Sequence, residues 1–146
     1  MIFTGWFLVN ILGPLLLPVF GIRPLRLLPL RAQPASLKMM TTVKDGQLCW
    51  AVIAMGASTI YELWQALVAH KEIPTWAGLA LAAVILEMLP ATILAAGGAV
   101  FSTPLLDSPE AGLRDWVAHY RVFVGSAALT LIAATVYTNL HFSLAP

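Results

Sequence analysis

Four apolar runs, near residues 2–21, 48–69, 75–101 and 117–140, leave this chain few ways to fold. A helix rises about 1.5 Å per residue, so roughly twenty apolar residues cross a hydrocarbon core ~30 Å thick, and each run reaches that length. Backbone groups in lipid have no water to bond, so such runs satisfy themselves internally as helices. The composition agrees: 60% of the 146 residues are hydrophobic and 10% are charged, where a soluble domain carries roughly 25% charged residues. The sequence therefore predicts an all-α fold, a polytopic integral membrane protein whose bundle of about four transmembrane helices forms one domain over residues 1–146. The first run is the least regular. Pro14 and Pro18 each remove a helical hydrogen bond, so residues 2–21 should kink, with a re-entrant segment as the competing form. No Lys or Arg precedes its apolar stretch, which makes it a retained span rather than a secretory signal.

The connections carry most of the charge. Residues 22–47 contain Pro24, Pro29 and Pro34 among Arg23, Arg26, Arg31, Lys38 and Lys44. Proline at this density forbids a regular helix, and arginines interleaved with leucines suit an interfacial loop lying on anionic headgroups. The connection "HKEIP" is short enough to make the second and third spans an antiparallel hairpin. In "STPLLDSPEAGLRD", Ser108 followed by Pro109 and Glu110 is a helix-start signal that would begin the fourth helix in water. Seven of the eight basic residues fall in the first and third connections or beside them at Arg121. By the positive-inside rule, 22–47 and 102–116 are then cytoplasmic and both termini face outward, into the periplasm if the membrane is a bacterial inner membrane.

Two carboxylates break the apolar pattern, Glu62 in the second run and Glu87 in the third. A charge at a helix centre costs at least about 2.5 kcal/mol on insertion scales, and no Lys or Arg stands at their depth. Residues three and four apart share a helix face, so Glu62 stands in a stripe with Ala51, Met55, Ser58, Gln65 and Ala69. Glu87 stands with Ala80, Ala83, Ala91 and Gly98. Small residues let helices approach closely in lipid, so both stripes should face the bundle interior, with Ala80, Ala83 and Ala91 as the packing surface. The last run repeats the pattern in His119, Ser126, Thr130, Tyr137 and His141. Counted from the outer span ends, Glu62 lies about 12 Å deep, Glu87 about 16 Å and Asn10 about 12 Å. Asn10, Glu62, Glu87 and Thr130, with Ser58 beside them, are therefore expected to meet in one polar layer. Pro90 frees the Leu86 carbonyl and makes a hinge near Glu87.

The remaining signals are weak. His70 and His141 should lie near one surface, yet neither belongs to a ligand-spaced motif, so no metal and no cofactor is expected. Trp6, Trp50, Trp76 and Trp116 fall near span ends, as an aromatic belt does. His119 and Arg121 read as headgroup contacts, joining Arg23, Arg26 and Arg31. No G-x-S-x-G or phosphate-loop pattern occurs, the single Cys49 excludes an internal disulfide, and no basic patch suits nucleic acid. The sequence predicts no enzyme. Its leading implication is a membrane protein that packs against another integral membrane protein, as an accessory subunit or an immunity-type protein, with lipids as its other partners. The alternative is a small proton- or cation-coupled transporter or channel, homo-oligomeric, using Glu62 and Glu87.

Overall fold

The computed structural model describes residues 2–20, 43–69, 75–106 and 112–144, and among them every regular element is helical. Helix α1 (Ile2–Phe7) runs through a π-helical turn (Leu8–Leu12) into α2 (Gly13–Phe20). Three long helices follow, α3 (Cys49–Ala69), α4 (Thr75–Val100) and α6 (Arg121–Leu144), with the short α5 (Leu113–His119) before the last. The long helices have 21, 26 and 24 residues. All three are long and apolar enough to cross a membrane.

The first segment departs from a straight helix where proline chemistry demands it. Pro14 has no N–H to give the Asn10 carbonyl, and its ring crowds that carbonyl, so the preceding turn widens. The Gly13 N–H bonds to the Leu8 carbonyl, five residues back. Ile11, inside the widened turn, is 2% exposed and belongs to the core. Residue 21 and the proline-rich loop, including Arg23, Arg26 and Arg31, lie outside the described residues, as do His70 and the expected cap at Ser108. The described part of the last connection enters α5 through Gly112, which makes no side-chain cap bond.

Helix α3 packs against both α4 and α6. Its neighbours on α4 come in reverse order: a Cβ on Gly46 would meet the Leu94 carbonyl, and one on Gly56 would stand 2.6 Å from the Met88 Sδ. The two helices are therefore antiparallel, as the short connection implies. Along α6 the order is the same as along α3, with the Thr130 hydroxyl donating to the Leu48 carbonyl at 3.3 Å and His141 meeting Glu62. Cys49, Val52, Met55, Ala91, Ala95, Ala133 and Tyr137 join Ile11 in the core. Small side chains dominate the α4 contribution, because without a hydrophobic force between helices in lipid it is close packing that holds them.

The α4 stripe is rotated from the expected one. Ala77, Val84, Ala91, Ala95 and Gly98 are buried, Ala80 is half-buried, and Ala83 is exposed. Ala83 therefore does not pack within the chain, because Val84 takes the inward position. The outer face of α4 carries Leu79, Leu86, Leu89 and Ile93, all more than half exposed.

A polar clamp fixes the ends of α3 and α4 where the chain enters the bundle. Lys44 and Asp45 are both 7% exposed. Lys44 Nζ donates to the Asp45 carboxylate at 2.6 Å and also to the Thr103 carbonyl, while the Thr103 N–H donates to Asp45 Oδ1 at 2.7 Å. Gly46 takes φ +78°, a conformation that suits glycine, and Gly98 lets the Asp45 carbonyl sit against α4. Lys44 is thus an internal ion-pair partner rather than a headgroup contact. His119 is likewise occupied: its Nε2 lies 2.9 Å from the Pro104 carbonyl, and the Leu106 N–H donates to the Tyr120 hydroxyl at 2.8 Å. Arg121 is exposed.

Candidate functional site

The second half of α3 places Ser58, Tyr61, Glu62 and Gln65 on adjacent turns, so their side chains line one side of the helix. Opposite them the end of α6 presents Tyr137 and His141, four residues apart and hence one above the other. Because α3 and α6 run parallel, both sets reach the same level. The Nδ1 of His141 stands 2.9 Å from Glu62 Oε1, and the Tyr137 hydroxyl donates toward the same oxygen at 3.4 Å. The Glu62 and His141 side chains keep 24% and 25% of their surface. They are neither sealed in the core nor open to the surroundings on all sides.

Helix α1 supplies the third wall. The Trp6 ring stacks on His141 with centroids 4.1 Å apart and planes 15° apart, and it tilts against Tyr137 at 5.1 Å. The stacked indole holds the plane of the imidazole, with the His141 Nδ1 on Glu62. Asn10, one turn along, donates to the Trp6 carbonyl at 3.0 Å and so braces the backbone that carries the indole.

Glu62, Tyr137 and His141 stand in the wall of an open cleft of about 850 Å³ between α3 and α6. Ser58, Tyr61, Glu62, Gln65, Tyr137 and His141 supply its polar groups, and Ala57, Ala66, Ala69 and Leu144 its apolar ones. The Gln65 amide donates to the Tyr61 hydroxyl at 2.5 Å. Chemically, the cleft offers a carboxylate already paired with a titratable base, a set that can share one proton or exchange it for another cation.

The expected polar layer is not one layer. Glu62 and Ser58 meet in the cleft, with Asn10 supporting it from behind Trp6. Thr130 lies at the other end of α3, bonded to the Ser126 carbonyl at 2.7 Å and to Leu48. The helix axis explains the shift: α6 continues to Leu144, beyond the expected end at 140, so every residue sits farther from that end than the sequence count implies. Glu87 is separate too. In the antiparallel pair the contact between Gly56 and Met88 puts it near the level of Ala57, roughly 8 Å along α3 from Glu62. Its Oε1 is buried and has no hydrogen-bond partner among the described residues.

Sequence reasoning identified Glu62 and grouped Tyr137 with His141, but did not join the two groups. It also set Trp6 in an aromatic belt, whereas the ring forms part of the site. The available signal was the pairing of two polar stripes, each ending near the same surface. No three or more His, Cys, Asp or Glu side chains among the described residues gather as a metal site would require.

Among the described residues every regular element is thus helical, with three helices long and apolar enough to cross a membrane and an ionisable pair in a cleft between two of them. Comparison with protein families, with characterised proteins and with solved structures finds no match.

Proposed function

We propose that this chain is a small integral membrane protein that couples the movement of a cation to that of a proton, with Glu62 and His141 as the coupling pair. The observation that carries the reading is the 2.9 Å contact between Glu62 and His141 in the wall of an open cleft. Ionisable side chains within membrane helices are costly, and they are kept where they relay protons or bind ions. When His141 holds the shared proton, the pair is neutral overall and the Glu62 carboxylate is occupied. A cation arriving at Glu62 competes with the imidazolium, so cation entry and proton release are two sides of one exchange.

In this reading residues 2–21 form a fourth crossing, kinked at the π turn, and the bundle lies in a bacterial inner membrane with both termini in the periplasm. Loops 22–47 and 102–116 then face the cytoplasm, and Arg23, Arg26, Arg31 and Arg121 meet lipid headgroups. Four helices enclose little room, so copies of the chain associate to complete the pathway. A second reading, packing against a different membrane protein as an accessory or immunity-type subunit, draws support from Ala83, a small residue exposed on α4 where a neighbouring helix could approach closely.

The test is proton discharge in vesicles. Full-length protein reconstituted with a trapped pH indicator should dissipate a pH gradient when monovalent cations are supplied on the opposite side. Glu62→Gln should abolish the discharge, while Glu87→Gln should leave most of it. Unchanged discharge in inserted, folded Glu62→Gln protein sinks the assignment.

A further inference from the structure

We infer that the cleft between α3 and α6 binds an organic ammonium ion, which Glu62 takes in place of the His141 imidazolium. This deepens the coupling proposed above and rests on it for the transport step alone. Three features of the cleft select the ligand class.

Charge comes first. Among the described residues Glu62 is the only acidic one lining the cleft, and no Lys or Arg lines it, so a single positive charge is matched and an anion is repelled. Size and wall chemistry come second. A cleft of about 850 Å³ is far larger than a metal ion. Its oxygen donors come from one carboxylate, two phenols, a hydroxyl and an amide, spread along about two turns of α3 and one of α6. A divalent cation needs roughly six to eight oxygens at close range, and no such shell exists here among the described residues. Alkyl groups, by contrast, find apolar contacts at Ala57, Ala66 and Leu144.

Aromatic faces come third. Tyr61 stands beside Glu62 with its ring exposed, while Tyr137 is buried and offers only its hydroxyl, and an alkylammonium gains from the face of an aromatic ring as well as from a carboxylate. Tyr61 is 62% exposed and is steadied by the bond from Gln65. An ordered aromatic ring that projects into a cleft beside a carboxylate is suited to a ligand that is both charged and greasy.

The exchange follows from the groups facing the pair. From α3 these are Glu62 and Tyr61, from α6 Tyr137 and His141, and from α1 Trp6, which is not ionisable. Protonated His141 occupies Glu62. Loss of that proton leaves the carboxylate for the ammonium, and no bond other than the N–H is broken. Affinity for the ammonium therefore weakens by about tenfold per pH unit on the acid side, the slope of one proton exchanged for one cation.

The experiment is equilibrium binding of choline to the full-length chain in detergent, read by calorimetry, with sodium and potassium chloride at equal ionic strength as competitors. Saturable choline binding that tetramethylammonium displaces, that sodium and potassium do not, and that follows the one-proton slope is the expected result. Glu62→Gln should weaken it at least tenfold and Tyr61→Leu by about threefold to tenfold, with Glu87→Gln unchanged. If Glu62→Gln fails to fold, the slope and the ion selectivity of the unmodified protein still decide the matter. Absence of saturable choline binding, equal binding of sodium, or a flat pH profile overturns the inference. Proton discharge driven by sodium without choline binding removes the ligand class and leaves the coupling function. Choline binding without any discharge leaves the ligand class and removes transport.

Discussion

A carboxylate buried between an ammonium and a backbone N–H is held in its ionised form, and Asp45 is in that position. Burial alone raises its pKa. The hydrogen bond and charge of Lys44 and the bonds from Thr103 outweigh burial and bring the carboxyl below its ordinary value of 3.8. A group whose folded pKa is depressed stabilises the fold fully above the unfolded value, and that contribution is lost as pH falls through the folded one. Asp45→Asn leaves Lys44 buried without a counter-charge and should cost about 3–5 kcal/mol. Thermal unfolding in detergent should show the gap between variant and parent at pH 7 and its shrinkage below about pH 4. A gap that does not begin to shrink as pH falls below the ordinary value of 3.8 would mean that the ion pair is not its cause.

The neighbouring glycines give a contrast at the same scale. A Cβ on Gly98 would overlap the Asp45 carbonyl, whereas one on Gly97 meets nothing within 4 Å. Gly98→Ala should therefore destabilise by about 1–3 kcal/mol through overpacking, and Gly97→Ala should be neutral or mildly stabilising. Equal midpoints for the two variants would show that α4 can slide away from the clamp.

At the scale of elements, the outcome of a substitution depends on helix rotation, which composition does not reveal. Ala91 is fully buried against the core and Ala83 faces outward on the same helix. Ala91→Leu should unfold or rearrange the chain, since the added carbons have no space. Ala83→Leu should leave the isolated chain intact, so any loss of association that it causes belongs to a contact with another molecule. Melting curves of the purified chain separate the two. The π turn offers a further test. Pro14→Ala restores the missing donor and lets the turn relax to an α-helix, rotating α1 against α2 by roughly 100°, one residue of helix. Trp6 then leaves His141, which a fluorine label on the indole would report as a shifted resonance. An unshifted Trp6 signal would show that packing, not Pro14, holds the turn open.

Much of the helical order was legible because apolar length reveals it. The expected spans at 48–69 and 75–101 match α3 and α4 within a residue or two, since apolar length is what the hydrocarbon core selects. The last span was read as one run, whereas Tyr120 breaks it into α5 and α6, with φ −97° and ψ 34°. No proline or glycine marks that break; the Tyr120 hydroxyl, tied to Leu106, sits at it. The site was half legible. Glu62 announced itself by its cost in lipid, but His141 lies 79 residues away and Trp6 at the other end of the chain. Their meeting depends on the relative height of α3 and α6, and a shift of one turn would have paired Glu62 with a different residue.

At the scale of the whole molecule, the question is whether the cleft works within one chain or between chains. The small-residue stripe of α4, which the sequence offered as a surface for a partner, is largely occupied internally by the packing of Ala91, Ala95 and Gly98. What remains outside is a face of leucine and isoleucine suited to lipid, and lipid tails are as apolar as that face, so it gives little drive to bind another protein. The cleft, by contrast, holds an ionisable pair and is open on its side, and a pathway for a cation needs that side closed. Copies of the same chain can provide the closure without any further component. Gentle extraction from the native membrane, followed by sizing and mass spectrometry, should therefore find the chain alone or with copies of itself. A larger assembly of fixed composition would instead favour the accessory-subunit reading, and the exposed Ala83 on α4 would then be the first place to look for the contact.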